Sequence, residues 1–259
     1  MLHELRLFFI ALQFLTRVPI PAWVGFEPAW LHASARHFPA VGLVVGGFSA
    51  AVLWAAQLLW PLPVAVVLTI AASVWLTGAF HEDGLADTAD ALGGSVSRER
   101  ALVIMKDSRI GSYGAVALLL ALGLKAAALH ALAQRDLALA LLALPLLHAL
   151  SRLVPVLLLR CLPYAGDAEH AKAKPMAQQV STSDVLAALT WCLIFGLAAF
   201  GWGLAWQALM GMAAAAGLAT AAMQVWLRRR LGGYTGDTLG AAQQGAELLM
   251  LLALLARHG

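Results

Sequence analysis

The sequence is poor in charged residues and in cysteine. Asp, Glu, Lys and Arg make up 12% of its 259 residues, whereas 61% of the residues are hydrophobic. Soluble domains carry about 25% charged residues. A soluble chain of this composition would lack the polar groups to cover its surface, so most of it must face lipid. Cys161 and Cys192 lie far apart without a CxxC spacing, which argues against a disulfide framework and against a zinc site.

A nucleic-acid-binding surface is also missing. The formal net charge of +3 comes from scattered basic residues, with no patch in which basic and aromatic residues alternate. In a membrane protein, an excess of basic residues more often reports which way the chain is inserted. We therefore expect the lipid bilayer as a partner, and no nucleic acid.

The N-terminus lacks the features of a removable signal peptide. Glu4 and Arg6 precede the apolar run 7–15, the segment FLTRVPIP follows it, and no small-residue cleavage site is present. Segment 5–20 is short for a membrane span and contains Pro19. We predict that it forms an interfacial or re-entrant helix, with an eighth span as the alternative.

Seven further segments are apolar over the roughly 20 residues that a spanning helix needs. They are 39–60, 62–80, 113–133, 137–159, 185–205, 207–227 and 239–256. The longest polar connections, 81–112 and 160–184, are too short for a soluble domain. The sequence therefore predicts an all-α polytopic integral membrane protein with about seven transmembrane helices and one membrane-embedded domain, 1–259.

The basic residues lie predominantly on one side of these spans. Thirteen fall on the side of the N-terminus: Arg6, Arg17, Arg36, Arg98, Arg100, Lys106, Arg109, Arg160, Lys172, Lys174 and Arg228 to Arg230. Only Arg135 and Arg257 fall on the opposite side. Because positive residues favour the cytoplasm, we expect the N-terminus inside, the C-terminus outside and the acidic connection 81–112 in the cytoplasm.

The segment after the second span, FHEDGLADTADALGGSVSRERALVIMKDSRIGSYG, gathers acidic residues. On a helix, Asp83, Asp87 and Asp90 lie within about 60° of arc, one above another. They repel one another without a basic partner at helical spacing, and oxygen ligands of this kind suit Mg²⁺ or Mn²⁺. The alternative is an exposed acidic helix face. Three glycines favour the metal site, since they weaken a helix: Gly84, Gly93 and Gly94.

Two glycine-containing segments accompany the acidic one. In IMKDSRIGSYG, Lys106, Asp107 and Arg109 share a turn, and Arg109 is suited to bidentate bonds with phosphate oxygens. In GGYTGDTLGAAQQGAE, either Thr235 or Asp237 can cap the last helix. Because Glu247 lies about 15 Å along that helix from Asp237, we interpret it as a buried structural carboxylate.

Lys125 and Arg152 fall inside predicted spans. A charge there costs roughly 2.5–3.5 kcal/mol on insertion scales, so each should face the bundle interior and have a partner. We expect them to reach towards the acidic residues or towards substrate phosphates, and pairing with Glu247 is the structural alternative. His130 and His148 are more simply explained as packed, hydrogen-bonded residues.

The chain resembles the cobalamin synthase family, the adenosylcobinamide-GDP ribazoletransferases. The motifs that carry the resemblance are HEDGLADTADALGG, IMKDSRIG, GGYTGDTLGA, FLTRVPIP and FPAVG. They are long and unusual, and they cover essentially the whole chain in order. Two residues depart from the family pattern: Glu82 stands where an apolar residue is common, and Ala91 where glycine is usual.

The resemblance implies a membrane enzyme of the bacterial cytoplasmic (inner) membrane, with its active site facing the cytoplasm. It would join adenosylcobinamide-GDP to α-ribazole or α-ribazole 5′-phosphate, release GMP and form adenosylcobalamin or its 5′-phosphate. It also implies Mg²⁺ as cofactor, held against the diphosphate by Asp83, Asp87 and Asp90. The sequence leaves a homo-oligomeric state open.

The same resemblance suggests roles for the other residues. Arg109 and Lys106 would neutralise the bridging and leaving oxygens. Asp107 or His81 would accept the proton of the attacking hydroxyl, and His81 as a plain helix-end residue is an equal alternative. Asp237 would complete the metal shell or position the ribazole. The remaining candidates for substrate binding are Gly93, Gly94, Lys125, Arg152 and Gly236.

Two other functions compete with this one. CDP-alcohol phosphotransferases also carry an aspartate-rich membrane helix, but their DxxDGxxAR pattern and second aspartate pair are absent here. A transporter would place its acidic residues at mid-membrane in broken helices. In this sequence they lie at one side, beside glycine-containing loops, which favours the enzyme.

Overall fold

The computed structural model describes residues 2–166 and 180–256, and this part of the chain forms eleven α-helices. They are α1 (Leu2–Leu15), α2 (Pro28–Ser34), α3 (Phe38–Gln57), α4 (Leu62–Thr77), α5 (Phe80–Leu92), α6 (Arg98–Ile104), α7 (Ser112–Arg135), α8 (Leu137–Cys161), α9 (Thr182–Gly201), α10 (Trp206–Arg230) and α11 (Gly236–Leu255). The predicted all-α architecture is confirmed, and the β-pairing in the described residues is a single parallel bridge between Tyr164 and Tyr234.

Six helical segments are long and apolar enough to cross a membrane. They are Pro28–Gln57, Ser112–Arg135, Leu137–Cys161, Thr182–Gly201, Trp206–Arg230 and Gly236–Leu255. The count becomes seven if α4 and α5, which meet at an angle of 89°, are taken as one broken span. The polytopic membrane protein is therefore confirmed, with six to seven spans.

A sharp bend separates α4 from α5. The predicted span 62–80 ends early, because Gly78 (φ 68°) and Ala79 (φ 58°) both adopt the left-handed conformation. Two such residues in succession stop a right-handed helix. Helix α5 lies at 89° to α4, so it does not continue the direction of the span. This bend places the acidic segment next to the start of α11, where Gly84 meets the Asp237 backbone.

Helix α1 lies along the same end of the bundle. Near its start, Glu4 pairs with Arg36 at 3.0 Å and with His37 at 3.1 Å, next to the start of α3. Just beyond its end, the Arg17 backbone N–H donates to the Leu76 carbonyl at 2.8 Å, in the last turn of α4. Both ends of α1 therefore lie at one face. This agrees with the interfacial helix, and the alternative of an eighth span is wrong.

We call this end of the bundle the basic face: α3, α7, α9 and α11 begin there, and α4, α8 and α10 end there. Polar contacts join neighbouring helix ends across it, as between Arg36 and Asp184 at 2.6 Å and between Arg230 and the Gly94 carbonyl at 2.9 Å. The described basic residues of the predicted cytoplasmic side lie here. Lys172, Lys174 and Arg257 lie outside the described residues.

Helices α8 and α11 form the centre of the bundle, and α3 packs closely on α8 through glycine. A Cβ added to Gly42 would collide with the His148 carbonyl, and one added to Gly46 would lie 2.5 Å from the Cα of Pro145. Small residues allow such close approach, which is how helices associate in lipid without a hydrophobic driving force between them.

We expect Gly46→Ala to destabilise the protein by about 1–3 kcal/mol, because the new methyl group meets backbone that cannot move aside. Gly47→Ala is the matched control on the same helix, since a Cβ there meets nothing within 4 Å. Thermal unfolding of the detergent-solubilised protein measures the difference. Equal melting temperatures for the two variants would contradict the close packing of α3 on α8.

Candidate functional site

Four carboxylates gather where α5 meets the start of α11. Asp83 is exposed, Asp87 and Asp90 are half-buried on α5, and Asp237 is the second residue of α11. The two helices touch closely, since a Cβ on Gly84 would lie 2.7 Å from the Asp237 carbonyl oxygen. Partial burial, together with the charges of Asp83, Asp237 and Asp90, raises the pKa of Asp87 to about 7. The fold thus concentrates negative charge at this point.

Asp90 also makes contacts with the start of α7, which the sequence did not predict. Its carboxylate accepts hydrogen bonds from the backbone N–H groups of Gly111, at 2.7 Å, and Gly114, at 2.8 Å. These are among the free N–H groups at the start of α7, whose own N-cap residue offers no side chain. A Cβ at either glycine would collide with the Asp90 carboxylate. Asp90 therefore attaches α7 to α5, and its role as a metal ligand stays a prediction.

The donor set suits a cation that shares its shell with substrate. In the described ranges 2–166 and 180–256, no group of three or more His, Cys, Asp or Glu residues is arranged to hold a metal ion alone. Mg²⁺ usually keeps several waters and binds through one or two carboxylates plus substrate phosphates. Asp83, Asp87 and Asp237 offer carboxylate oxygens of this kind, so the residues fit Mg²⁺ completed by a diphosphate.

The loop between α6 and α7 presents an exposed ion pair. Arg109 donates to Asp107 through Nη2 at 2.7 Å and through Nε at 3.0 Å. These bonds lower the pKa of Asp107 to about 2. In this arrangement Asp107 is a poor proton acceptor, whereas the guanidinium and the exposed Lys106 are accessible to an anion.

His81 lies on the other side of α5 from the open carboxylates. Its side chain is buried, with the residue 3% exposed, and its backbone carbonyl packs against Gly240, where an added Cβ would lie 3.2 Å away. The structure therefore does not bring His81 to the surface beside Asp83. Its role in proton transfer stays a prediction.

Lys125 and Arg152 lie in the bundle interior next to Glu247. Lys125 Nζ contacts Glu247 Oε2 at 2.7 Å, His148 Nδ1 contacts Oε1 at 2.8 Å, and Arg152 Nη1 lies 3.8 Å from Oε1. This is the pairing with Glu247 that the sequence offered as the structural alternative, and Glu247 is buried as predicted. Sequence reasoning treated His148 as packing and did not identify its ion-pair geometry, because facing helices cannot be matched from spacing alone.

The glycines of the site differ in their surroundings. Gly93 ends α5, where a Cβ would lie 2.8 Å from the Tyr113 ring, and the Gly94 carbonyl accepts from Arg230. Gly236 has open space around it. Thr235 caps α11 together with Thr238, which decides between the two predicted caps and leaves the Asp237 carboxylate available to the site.

The sequence is similar to known proteins over almost its whole length. A family model described as cobalamin-5-phosphate synthase matches residues 7–255. The chain belongs to the cobalamin-5-phosphate synthase family. An adenosylcobinamide-GDP ribazoletransferase of Leptothrix cholodnii is 65% identical over 99% of this chain and 97% of its own length. Proteins of the same name from Albidiferax ferrireducens (46% identical; 96% and 97%) and Vibrio cholerae (43%; 98% and 95%) are also similar. No solved structure matches.

Membership of the cobalamin-5-phosphate synthase family fits the site as built from its residues. Three of the five motifs that carry the resemblance meet at the basic face: HEDGLADTADALGG forms most of α5, IMKDSRIG leads into the loop before α7, and GGYTGDTLGA forms the start of α11. Residues distant in the chain thus converge on one face, which carries the carboxylates of α5 and α11 and the exposed Arg109 and Lys106.

Asp90→Ala and Asp83→Ala should separate attachment from surface charge. We expect Asp90→Ala to lower the free energy of unfolding by about 1.5–3 kcal/mol, because two backbone N–H groups lose a charged acceptor. Asp83→Ala should leave stability unchanged or raise it slightly, since it removes an exposed repelling charge. Thermal unfolding in EDTA compares them. A stable Asp90→Ala variant would mean that α7 holds its position without this carboxylate.

Proposed function

We propose that this chain is a Mg²⁺-dependent adenosylcobinamide-GDP ribazoletransferase. It transfers the cobinamide phosphate group of adenosylcobinamide-GDP to α-ribazole or α-ribazole 5′-phosphate and releases GMP. The product is adenosylcobalamin or its 5′-phosphate. The observation that carries the proposal is the family membership over residues 7–255, joined with carboxylates and exposed basic residues at one face.

The reaction requires positioning and charge neutralisation above all. An oxygen of the ribose hydroxyl forms a bond to the phosphorus attached to cobinamide, and the bond between that phosphorus and the bridging oxygen breaks. GMP leaves with the bridging oxygen, and the hydroxyl proton passes to a base. One or two of the carboxylates of Asp83, Asp87 and Asp237 would hold Mg²⁺ against the diphosphate, where it would supply positive charge to the phosphate oxygens; Asp90 as a further ligand stays a prediction.

The chain's own basic residues act on the leaving side. The Arg109 side chain is 86% exposed. Its guanidinium group is therefore accessible to the bridging and leaving oxygens of the substrate diphosphate, and Lys106 lies nearby in the chain. Once Arg109 turns to phosphate, Asp107 loses the two side-chain hydrogen bonds that are the largest cause of its lowered pKa and keeps the one from the Arg109 backbone N–H. Asp107 then becomes a stronger proton acceptor at the moment when substrate is present. His81 is the alternative base.

The proposed location is the bacterial cytoplasmic membrane, with the basic face in the cytoplasm. Basic residues favour the cytoplasmic side, and the described ones lie mostly at this face. The nucleotide-linked substrate and GMP would then be exchanged directly with the cytoplasm.

Mass spectrometry tests the reaction on purified protein with adenosylcobinamide-GDP, α-ribazole and Mg²⁺. We expect cobalamin and GMP in equal amounts, and no product after EDTA. Asp83→Asn and Asp87→Asn should lower the rate by at least about a hundredfold, since each removes a ligand for the charge that stabilises the transition state.

Asp136→Asn is the matched control for these variants. Asp136 caps α8 at the opposite end of the bundle, and asparagine caps helices as well as aspartate does, so its rate should equal that of the wild type. Full activity of Asp83→Asn and Asp87→Asn would move the metal site elsewhere. No product from folded wild-type protein would contradict the proposed function.

Cysteine labelling tests the orientation in a Cys161→Ser background, where Cys192 is buried. Ser108→Cys lies in the exposed loop of the basic face, and Gln134→Cys lies in the exposed turn at the opposite end. In intact cells, a membrane-impermeant maleimide that reaches the periplasm should label Gln134→Cys and not Ser108→Cys. The reverse pattern would place the basic face outside.

A further inference from the structure

Besides its three aspartates, α5 carries a buried carboxylate, Glu82, directly before Asp83. Glu82 is 8% exposed, and its Oε1 accepts a hydrogen bond from Gln244 Nε2 at 2.9 Å. Gln244 Oε1 in turn accepts from Lys125 Nζ at 2.7 Å, and the same ammonium binds Glu247. A continuous series of polar contacts therefore links the acid-bearing helix to the centre of the bundle.

The position of α5 along α11 needs such a link. Where the helices touch, Gly84 faces the Asp237 backbone and Gly240 faces the His81 backbone. At these two points the helices meet through glycine, so neither point has a side chain that could hold one helix in position along the other. The far end of α5 is attached to α7 through Asp90 and to α10 through the Gly94 carbonyl, but neither contact involves α11. The bond between Glu82 and Gln244 lies one residue from Asp83 and fixes this register.

The environment of Glu82 makes the bond costly to lose. Glu82 and Lys125 both line a cavity of about 30 Å³, together with the hydroxyl-bearing residues Ser49 and Thr69. The second oxygen of Glu82, Oε2, is buried and accepts no hydrogen bond from the described residues, and a cavity of this volume admits a water but no larger ligand. The Gln244 carbonyl accepts from Lys125 and its NH₂ group donates to Glu82. The amide therefore cannot rotate by 180° without losing both hydrogen bonds.

We propose that Glu82 and Gln244 form a clasp that sets the spacing between Asp83 on α5 and Asp237 on α11, and thereby the affinity of the site for a divalent cation. Glu82 touches no reacting atom, so it is a positioning residue. The inference rests on the proposed function in one respect, namely that the carboxylates of α5 and α11 hold the cation.

Glu82→Leu and Glu82→Gln form a matched pair. Both remove the charge, but only glutamine retains an oxygen that accepts from Gln244. Gln244→Leu breaks the same bond from the other side with the charge of Glu82 kept. Gln224→Leu is the control for that substitution, since Gln224 lies on α10 beside Arg228, away from the clasp.

The readout is the dissociation constant of Mn²⁺ for the purified, detergent-solubilised protein, measured by electron paramagnetic resonance with and without GDP. We expect Glu82→Leu and Gln244→Leu to bind Mn²⁺ roughly tenfold more weakly, the effect of a buried group that loses its hydrogen-bond partner. Glu82→Gln should stay within about threefold of the wild type, and Gln224→Leu should equal it. Size-exclusion chromatography and thermal unfolding give the folded fraction of each variant, and each binding constant is calculated for that fraction.

A purely structural role would lower the melting temperature and leave the Mn²⁺ affinity of the folded fraction unchanged, and that result overturns the clasp. Equal losses in Glu82→Gln and Glu82→Leu also overturn it, because charge and not the hydrogen bond would then matter. Wild-type protein that binds no Mn²⁺ refutes the clasp and the metal assignment together. Transferase activity of that same sample separates this outcome from failure of the proposed reaction.

Discussion

The carboxylate of Glu247 is the constraint on which the rest of the bundle depends. It is a charge in the interior of a membrane protein, where an unpaired carboxylate is too costly to bury. Lys125 of α7 and His148 of α8 contact it at 2.7 and 2.8 Å, and Gln243 of its own helix donates to it. Removing one partner of a buried pair leaves an uncompensated charge. The three helices α7, α8 and α11 therefore have to assemble together.

Around this charged centre, the helices associate by close contact. Glycines bring α3 onto α8 and α5 onto α11 until backbones touch, because dispersion contacts must replace the hydrophobic driving force that lipid does not supply. Helix α5 depends on both kinds of interaction. It rests on α11 through glycine, and Glu82 joins it to the buried charges, so the geometry of the acidic residues follows from the interior of the membrane domain.

Much of this fold could be read from the sequence because long apolar segments and their charge bias are local signals. The spans on α7 to α11, an interfacial or re-entrant α1 and the buried Glu247 were all predicted. The bend at Gly78 and Ala79 was not, since alanine rarely adopts a left-handed conformation and only tertiary contacts impose it. The contacts of Asp90 also depend on tertiary structure. The sequence grouped Asp90 with the metal ligands but did not predict that its carboxylate accepts from the backbone N–H groups at the start of α7.

The candidate site shows a similar division. The sequence grouped Asp83, Asp87 and Asp90 by helical spacing and named Asp237 from a separate motif. It did not show that Glu82, a departure from the family pattern, faces inward to Gln244. That contact joins residues 162 positions apart. Pairings of this kind depend on how helices face one another, which a single sequence does not encode locally.

The right angle between α4 and α5 has a consequence for how substrate reaches the protein. If the basic face faces the cytoplasm as proposed, the exposed carboxylate of Asp83 on α5 would lie near the phospholipid headgroups. Anionic lipids give this layer a negative potential that concentrates cations and repels free diphosphates. Under the proposed orientation, the arginines around α5 offset that repulsion locally. Under the proposed function, the membrane surface would concentrate the metal ion near α5, while these arginines would reduce the repulsion of the nucleotide-linked substrate.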